Sequence, residues 1–402
     1  MSNKRASIVW PLLVCIGQIL SGIRAKRNYQ SLQEIKPVTA TQALREEGLL
    51  GVSIIIPARN EVANLPRLLA SLLSQSYPLY EIIVVDDAST DGTATLVQNY
   101  SNKGVRLIHT DGPPRGWTGK NHACWTGASN ALYPWLLFVD ADIELAPLAL
   151  HSTISFAYQQ NARALSLFPH QHCKTFWERL LLPFAYQQYF VGINAQAVQR
   201  KHGPILANGQ YFLIDRNAYR RVGGHAKNAA SIVDDVALAT SLKQYGITPL
   251  TCRGETLVAV RMYTNLRQIA NGFGKNSYLY LLQSPQIGVQ TAMSTALAAS
   301  VALLFRDAYR EKSQTLFFIA MVAYIAQILS IIPWLKHFSI SIRYALLAPF
   351  SAFVFLLIAL NSLLHTLTGR SIAWKGRQYS TQPHISEFVS SPVLAACRYI
   401  FL

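Results

Sequence analysis

Acidic residues are scarce in this chain: of 402 residues, 20 are Asp or Glu against 36 Lys or Arg, giving a formal net charge of +16. An excess of this kind suits nucleic acid, an anionic membrane surface or an anionic substrate. No run of five or more Lys or Arg occurs and no nucleic-acid-binding motif is present. The membrane surface is therefore favoured, and no nucleic-acid partner is expected. Cysteine is sparse too. Cys15, Cys124, Cys173, Cys252 and Cys397 lack the spacing of a metal site or a disulfide framework. That usage fits reduced thiols in a cytosolic compartment. Charged residues of both signs make up only 14% of the chain, against 51% hydrophobic residues. The apolar residues concentrate at the two ends, which favours one domain with membrane segments over two soluble domains.

The first apolar run, Ile8 to Ile23, follows Lys4-Arg5 and precedes Arg24, Lys26 and Arg27. No small-residue cleavage site follows it, which speaks against a signal peptide and for an uncleaved anchor. It is short for a span, which takes roughly 17 to 25 residues. Three further runs, Ile287 to Phe305, Thr315 to Leu335 and Tyr344 to Leu364, are each long enough to cross a bilayer. Phe176 to Ile193 mixes apolar, aromatic and polar residues, and reads as either an amphipathic interfacial helix or a core helix. The expected organisation is an anchor over 1–27, a polar linker over 28–50, a catalytic domain over 51–280, spans over 281–366 and a tail over 367–402. Arg24, Lys26 and Arg27 favour a multi-pass inner-membrane protein with its domain in the cytoplasm. Three later spans then leave the tail outside, whereas Arg370, Lys375 and Arg377 favour the inside, so the topology stays open.

Between the apolar ends, strands alternate with helices. Val52 to Ile56, Glu81 to Val85, Val105 to His109 and Trp135 to Val139 read as strands, the first of them fully buried. Asn64 to Gln75, Ser89 to Tyr100 and Gly119 to Ala131 read as the helices between them. Such alternation implies an α/β fold with a mainly parallel sheet. The scarce acids fall at the ends of these elements: Asp86-Asp87, Asp140-Ala141-Asp142 and Asp234-Asp235. The carboxyl edge of a parallel sheet is where ligands bind. Two carboxylates with one residue between them suit a hard divalent cation whose shell a phosphate completes. The pattern points to metal-assisted chemistry on a nucleotide-linked substrate.

Pro57-Ala58-Arg59-Asn60-Glu61 leaves the first strand where a loop would close over a nucleotide base and diphosphate. Asp86-Asp87 either accepts a hydrogen bond from uracil N3–H or caps the helix expected at Ser89. Lys120, at a helix start beside small residues, is placed for phosphate. The stretch is not a P-loop, because Asn121 stands at the Ser/Thr position and the first glycine is out of register. Trp117 either stacks on substrate or packs internally.

These segments, from about Val52 to Asn276, closely resemble the family 2 glycosyltransferases with the GT-A fold. The resemblance implies that Pro57, Arg59, Glu61, Asp87, Lys120 and Asp140 contact a UDP-sugar, and that Asp142 holds Mg²⁺ or Mn²⁺ on the diphosphate. It also implies that Asp235 is the base of an inverting transfer, with Asn208, Gly209, Gln210 and Asp234 on the acceptor side. Asp234 departs from the family's usual Glu. Helix capping is the competing role for Asp235. Val222-Gly223-Gly224-His225 also looks like an acceptor-side segment. Processive polysaccharide synthases of the family carry Q-x-x-R-W, and no Arg-Trp dipeptide occurs in this chain. Arg261-Met262-Tyr263, Gly272 to Asn276, Trp117 to Lys120 and Trp374 to Arg377 instead resemble membrane glycosyltransferases of carotenoid and hopanoid pathways. Arg261 and Lys275 would neutralise diphosphate or face lipid headgroups. The expected acceptor is a membrane lipid; polyprenyl phosphate, a growing polysaccharide and a non-enzymatic nucleotide-sensing scaffold are the alternatives.

Overall fold

The structure is a computed structural model, which describes residues 2–38, 50–200, 203–283, 285–367, 372–374 and 377–379. The chain forms two compact units that do not follow its order. One comprises Leu32–His172 with Gln196–Met262, and the other Met1–Ser31, Cys173–Ala195 and Tyr263–Leu402.

The first unit is built on eight strands: β1 (Gln33–Glu34), β2 (Val52–Ala58), β3 (Tyr80–Asp87), β4 (Val105–Thr110), β5 (Trp135–Val139), β7 (Ala164–Phe168), β9 (Tyr211–Asp215) and β10 (Leu250–Arg253). Three short strands, β6 (Ile143–Leu145), β8 (His170–Gln171) and β11 (Val258–Val260), make a small second sheet. The main sheet runs β1-β10-β7-β9-β5-β2-β3-β4, parallel throughout except that β9 is antiparallel to both neighbours. This is the mixed, mainly parallel α/β fold expected from the alternation. The central strands β2, β3 and β5 are apolar on both faces because both are covered, whereas the edge strands β1 and β4 carry exposed polar residues. Ile54, Ile56 and Val84 enter one core, and Ile55, Ile83 and Val85 enter the other. β1 comes from the stretch read as linker; it pairs with β10, Gln33 against Cys252. Of that linker, residues 39–49 lie outside the described residues.

The strand directions position the site. β2, β3 and β5 run in parallel, with Ala58 opposite Asp86, so their carboxyl ends share one edge. β9 runs the other way, with Tyr211 opposite Val139. Residues 208–210, which lead into β9, are thereby delivered to the end of β5.

The second unit is helical: Ser2–Gln30, Phe176–Gly192, Leu266–Gln283, Pro285–Arg310, Gln314–His337 and Ala348–Leu367. Val14, Val301, Leu304, Ala320 and Ala323 form a core between the first, fourth and fifth of these helices. Leu20, Ile23, Phe318, Leu329 and Leu364 stay exposed on the outside. Among the described residues, four segments are long and apolar enough to cross a membrane: Ile8–Gln30, Ile287–Arg310, Gln314–His337 and Ile342–Ser362. The first outlasts the apolar run Ile8 to Ile23 for a local reason. Arg24 Nε donates to Val191 O at 2.7 Å and Asn28 Nδ2 to Phe190 O at 2.8 Å, so the polar residues cap a neighbouring helix instead of ending their own. Phe176–Gly192, opened by a capping box of Thr175 and Glu178, buries Leu180, Leu181, Phe184 and Phe190. Of its two readings, the structure shows the core helix. Lys375 and Gly376 of the tail segment lie outside the described residues.

Candidate active site

Lys120 is the centre of the candidate site. Its Nζ lies 2.8 Å from Asp140 Oδ1 and 3.2 Å from Asp234 Oδ2, tying the end of β5 to the start of the helix Asp234–Gln244. The local cause is Asn121, fully buried, whose Nδ2 reaches Asn228 O, Ala229 O and Ser231 O at 2.8 to 3.0 Å. Thr118 donates its N–H to Ala229 O at 2.8 Å, and its side chain caps the helix Gly119–Ser129. The loop before Asp234 is thus pinned to the helix that carries Lys120. Pro57, Lys120, Cys124, Asp140, Gly209, His225, Asp234 and Asp235 line one small cavity.

Asp235 is bound differently from Asp234. Its Oδ2 accepts from Gly209 N–H at 2.7 Å and its Oδ1 from Val236 N–H at 2.8 Å. A Cβ on Gly209 would lie 3.1 Å from Asp235 Cβ, so the backbone approaches as closely as glycine allows. Burial and then the Asp234 charge push Asp235 up to about 6. Burial works against Asp234 as well, but the Lys120 ammonium and then His225 hold it below its ordinary value. For Lys120, Asp140 and Asp234 outweigh burial and raise its pKa well above normal. Two adjacent carboxylates therefore differ in proton affinity because only one touches the ammonium.

Asp87 is buried at the end of β3, and Arg59 Nη1 donates to its carbonyl at 2.7 Å. Neither acid of the pair caps a helix, since the next helix is Thr93–Gln98 with Gly92 before it. Asp86 is fully buried and pairs with His109 Nδ1 at 2.9 Å. Glu61 is buried; its carboxylate accepts from Asn64 and its N–H donates to Thr93 Oγ1, which shapes the turn after β2. Asn208 Oδ1 accepts from Gln210 N–H at 2.9 Å, and Gln210 O accepts from Asp140 N–H at 3.2 Å. Asp142 follows in the turn after β5, and its carbonyl accepts from Arg67 Nη2 at 3.3 Å and from Arg261 N–H at 3.4 Å. Trp117 packs against His122 and Trp125. Lys275 lies in the helix Leu266–Gln283.

Three residues of the site were not singled out from sequence: Tyr219, His225 beyond its segment, and Cys124. No local pattern of residue types marked them. Among the described residues no three His, Cys, Asp or Glu side chains cluster closely enough to hold a metal by themselves. Asp140 and Asp142 do fit a hard divalent cation that takes its remaining ligands from water and phosphate. The cavity also already seats a cation, the Lys120 ammonium, between two carboxylates.

Residues 53–223 match the model of glycosyl transferase family 2. A 4,4'-diaponeurosporenoate glycosyltransferase of Staphylococcus haemolyticus is 30% identical over 343 residues, covering 82% of this chain and 88% of that protein. The chain belongs to glycosyl transferase family 2. A protein of the same name from Staphylococcus aureus is 28% identical over 350 residues, with the same coverage. The GT-A fold is shared with a mannosyltransferase of Pyrobaculum calidifontis, solved in complex with GDP-Man and Mn²⁺. That likeness has a TM-score of 0.51 at 19% identity, covering 83% of this chain and 97% of the other. For a glycosyltransferase of this family, the cavity at the carboxyl edge of β2 and β5 lies where an open α/β sheet binds its ligand.

Proposed function

We propose that this glycosyltransferase moves a hexosyl unit, with inversion, from a UDP-sugar to a carotenoid-type or similar terpenoid lipid at the cytoplasmic face of the membrane. The observation that carries the reading is the division of labour between Asp234 and Asp235: Lys120 neutralises the first and leaves the second, held among the described residues by the backbone N–H groups of Gly209 and Val236, with its proton affinity raised. A base for an acceptor hydroxyl needs that property. Asp235 takes the proton as the oxygen attacks the anomeric carbon. Lys120 faces the diphosphate side, and Asp87 meets the nucleobase. Asp140 and Asp142 would hold Mg²⁺ or Mn²⁺, which supplies charge stabilisation for the departing diphosphate. The names of the staphylococcal relatives support a carotenoid acceptor. The four apolar spans support a membrane-resident one, and Arg24, Lys26 and Arg27 support a cytoplasmic catalytic unit.

The donor is tested by product inhibition. UDP should compete with the sugar donor better than GDP, ADP or TDP, because a carboxylate at Asp87 accepts from uracil N3–H. Equal inhibition by GDP would overturn the uridine assignment. The acceptor is tested by offering membrane lipid extracts, 4,4'-diaponeurosporenoate and short soluble sugars side by side. Label should enter the lipid fraction, since apolar acceptors gain about 0.8 kcal/mol per buried CH₂ by partitioning into the bilayer. Transfer to the soluble sugar with none to lipid would overturn it, and transfer to polyprenyl phosphate or a polymer alone would replace it.

A further inference from the structure

The cavity is short of positive charge. Among the described residues, Lys120 is the one Lys or Arg that lines it, against the carboxylates of Asp140, Asp234 and Asp235. That ammonium is already shared, 2.8 Å from Asp140 Oδ1 and 3.2 Å from Asp234 Oδ2. His225 also lines the cavity, with its Nδ1 2.9 Å from the Tyr219 hydroxyl. Burial pushes its pKa down to about 4, so the imidazole is neutral at physiological pH. Among the described residues no cation lies within ion-pair distance of Asp235, whose oxygens take the backbone N–H groups of Gly209 and Val236 at 2.7 and 2.8 Å.

A terpenoid lipid can offer a glycosyltransferase two kinds of oxygen nucleophile, a carboxylate or a hydroxyl, and they need opposite things from a site. A carboxylate is already an anion at physiological pH. It attacks without giving up a proton, and an uncommitted cation receives it best. A hydroxyl must lose its proton as it attacks, so it needs a proton acceptor within reach and no cation. The cavity meets the second need and not the first. A carboxylate acceptor would set one more negative charge against Asp235, where partial burial weakens screening. The donor diphosphate makes its own demand on Lys120, and a divalent cation held by Asp140 and Asp142 would balance that diphosphate rather than the acceptor.

We propose that the acceptor group is a hydroxyl and not a carboxylate, so that the product is a glycoside of a lipid alcohol rather than an acyl ester. The hydroxyl oxygen forms its bond to the anomeric carbon as the bond from that carbon to the diphosphate oxygen breaks. The electron pair leaves with UDP, and the hydroxyl proton passes to Asp235 and then to water. The inference rests on the reading of Asp235 as the base. It sets this chain apart from the name of its staphylococcal relatives, because 4,4'-diaponeurosporenoate is a carboxylate.

The test uses full-length protein in detergent, labelled UDP-hexoses and two acceptors built on one polyene: 4,4'-diaponeurosporenoate and the alcohol made by reducing its carboxylate. The alcohol should be glycosylated with kcat/KM about 10²-fold above that of the acid, the lower range of what a general base contributes. Its product should survive mild alkali, which saponifies an acyl ester. An acid glycosylated as fast as the alcohol overturns the inference. If neither polyene is used, the labelled product from a membrane lipid extract decides: alkali-stable label supports the hydroxyl, and alkali-labile label overturns it. No transfer to any of the three overturns this inference and the proposed function together. Asp235→Asn keeps the remaining failures apart. An enzyme that prefers the acid and loses no rate in Asp235→Asn has no base at Asp235, whereas one that prefers the acid yet needs Asp235 refutes the hydroxyl alone.

Discussion

Asp235→Asn lowers sugar transfer by about 10² to 10⁴-fold, the usual worth of general base catalysis, and leaves UDP affinity at the wild-type level. The amide cannot take a proton, and its single oxygen keeps one of the two backbone N–H bonds that the carboxylate accepts from Gly209 and Val236. A melting curve measured beside the rate separates loss of the other bond from loss of the base. Were Asp235 only a support for the helix Asp234–Gln244, Asn would serve nearly as well, and the rate would survive. The pH profile carries a second signature. The base is active as the carboxylate, so kcat/KM falls through a limb near the value of about 6 to which burial and Asp234 raise Asp235. Linkage has the matching sign. A folded-state pKa above the unfolded one stabilises the protein fully below the unfolded value, and that contribution is lost as pH rises through about 6. A near-normal rate with both substrates saturating would remove Asp235 from the chemistry and turn attention to Asp234.

Asp142→Asn abolishes transfer while the protein stays folded and membrane-bound, and excess chelator silences the wild type until Mg²⁺ or Mn²⁺ is restored. A diphosphate leaving group develops charge that one ammonium does not balance, and Lys120 is already shared between Asp140 and Asp234. The Asp142 backbone is held through its carbonyl by Arg67 and Arg261, so the substitution alters a donor oxygen rather than the turn. Melting temperature and membrane fractionation check the fold, and initial rates check the chemistry. Full activity of purified enzyme in excess chelator would overturn the metal requirement.

The strands and the acids at their ends were legible because both signals are local. A buried parallel strand is a continuous apolar run, and Trp135–Val139 was read with the bounds it has in the structure. Asp140 and Asp142 announced themselves by ending it. The membrane segments were legible for the same reason, since a span is a long apolar run wherever it packs. The first helix was under-read. Its Arg24 and Asn28 look like the end of a hydrophobic stretch until their partners, Val191 and Phe190, are in view.

By itself the sequence determined the α/β order, the apolar spans and which carboxylates reach the sheet edge, because periodicity and strand ends are properties of neighbouring residues. Tertiary structure alone decided how those carboxylates differ. Lys120 and Asp234 are far apart in the chain, and the tethers of Asn121 and Thr118 to residues 228–231 bring them together. The antiparallel course of β9 likewise sets Gly209 against Asp235, and the Tyr219–His225 bond fixes a buried imidazole in the same cavity. Proton affinity depends on burial and on charges a few ångströms away in space, and no local pattern of residue types encodes those distances.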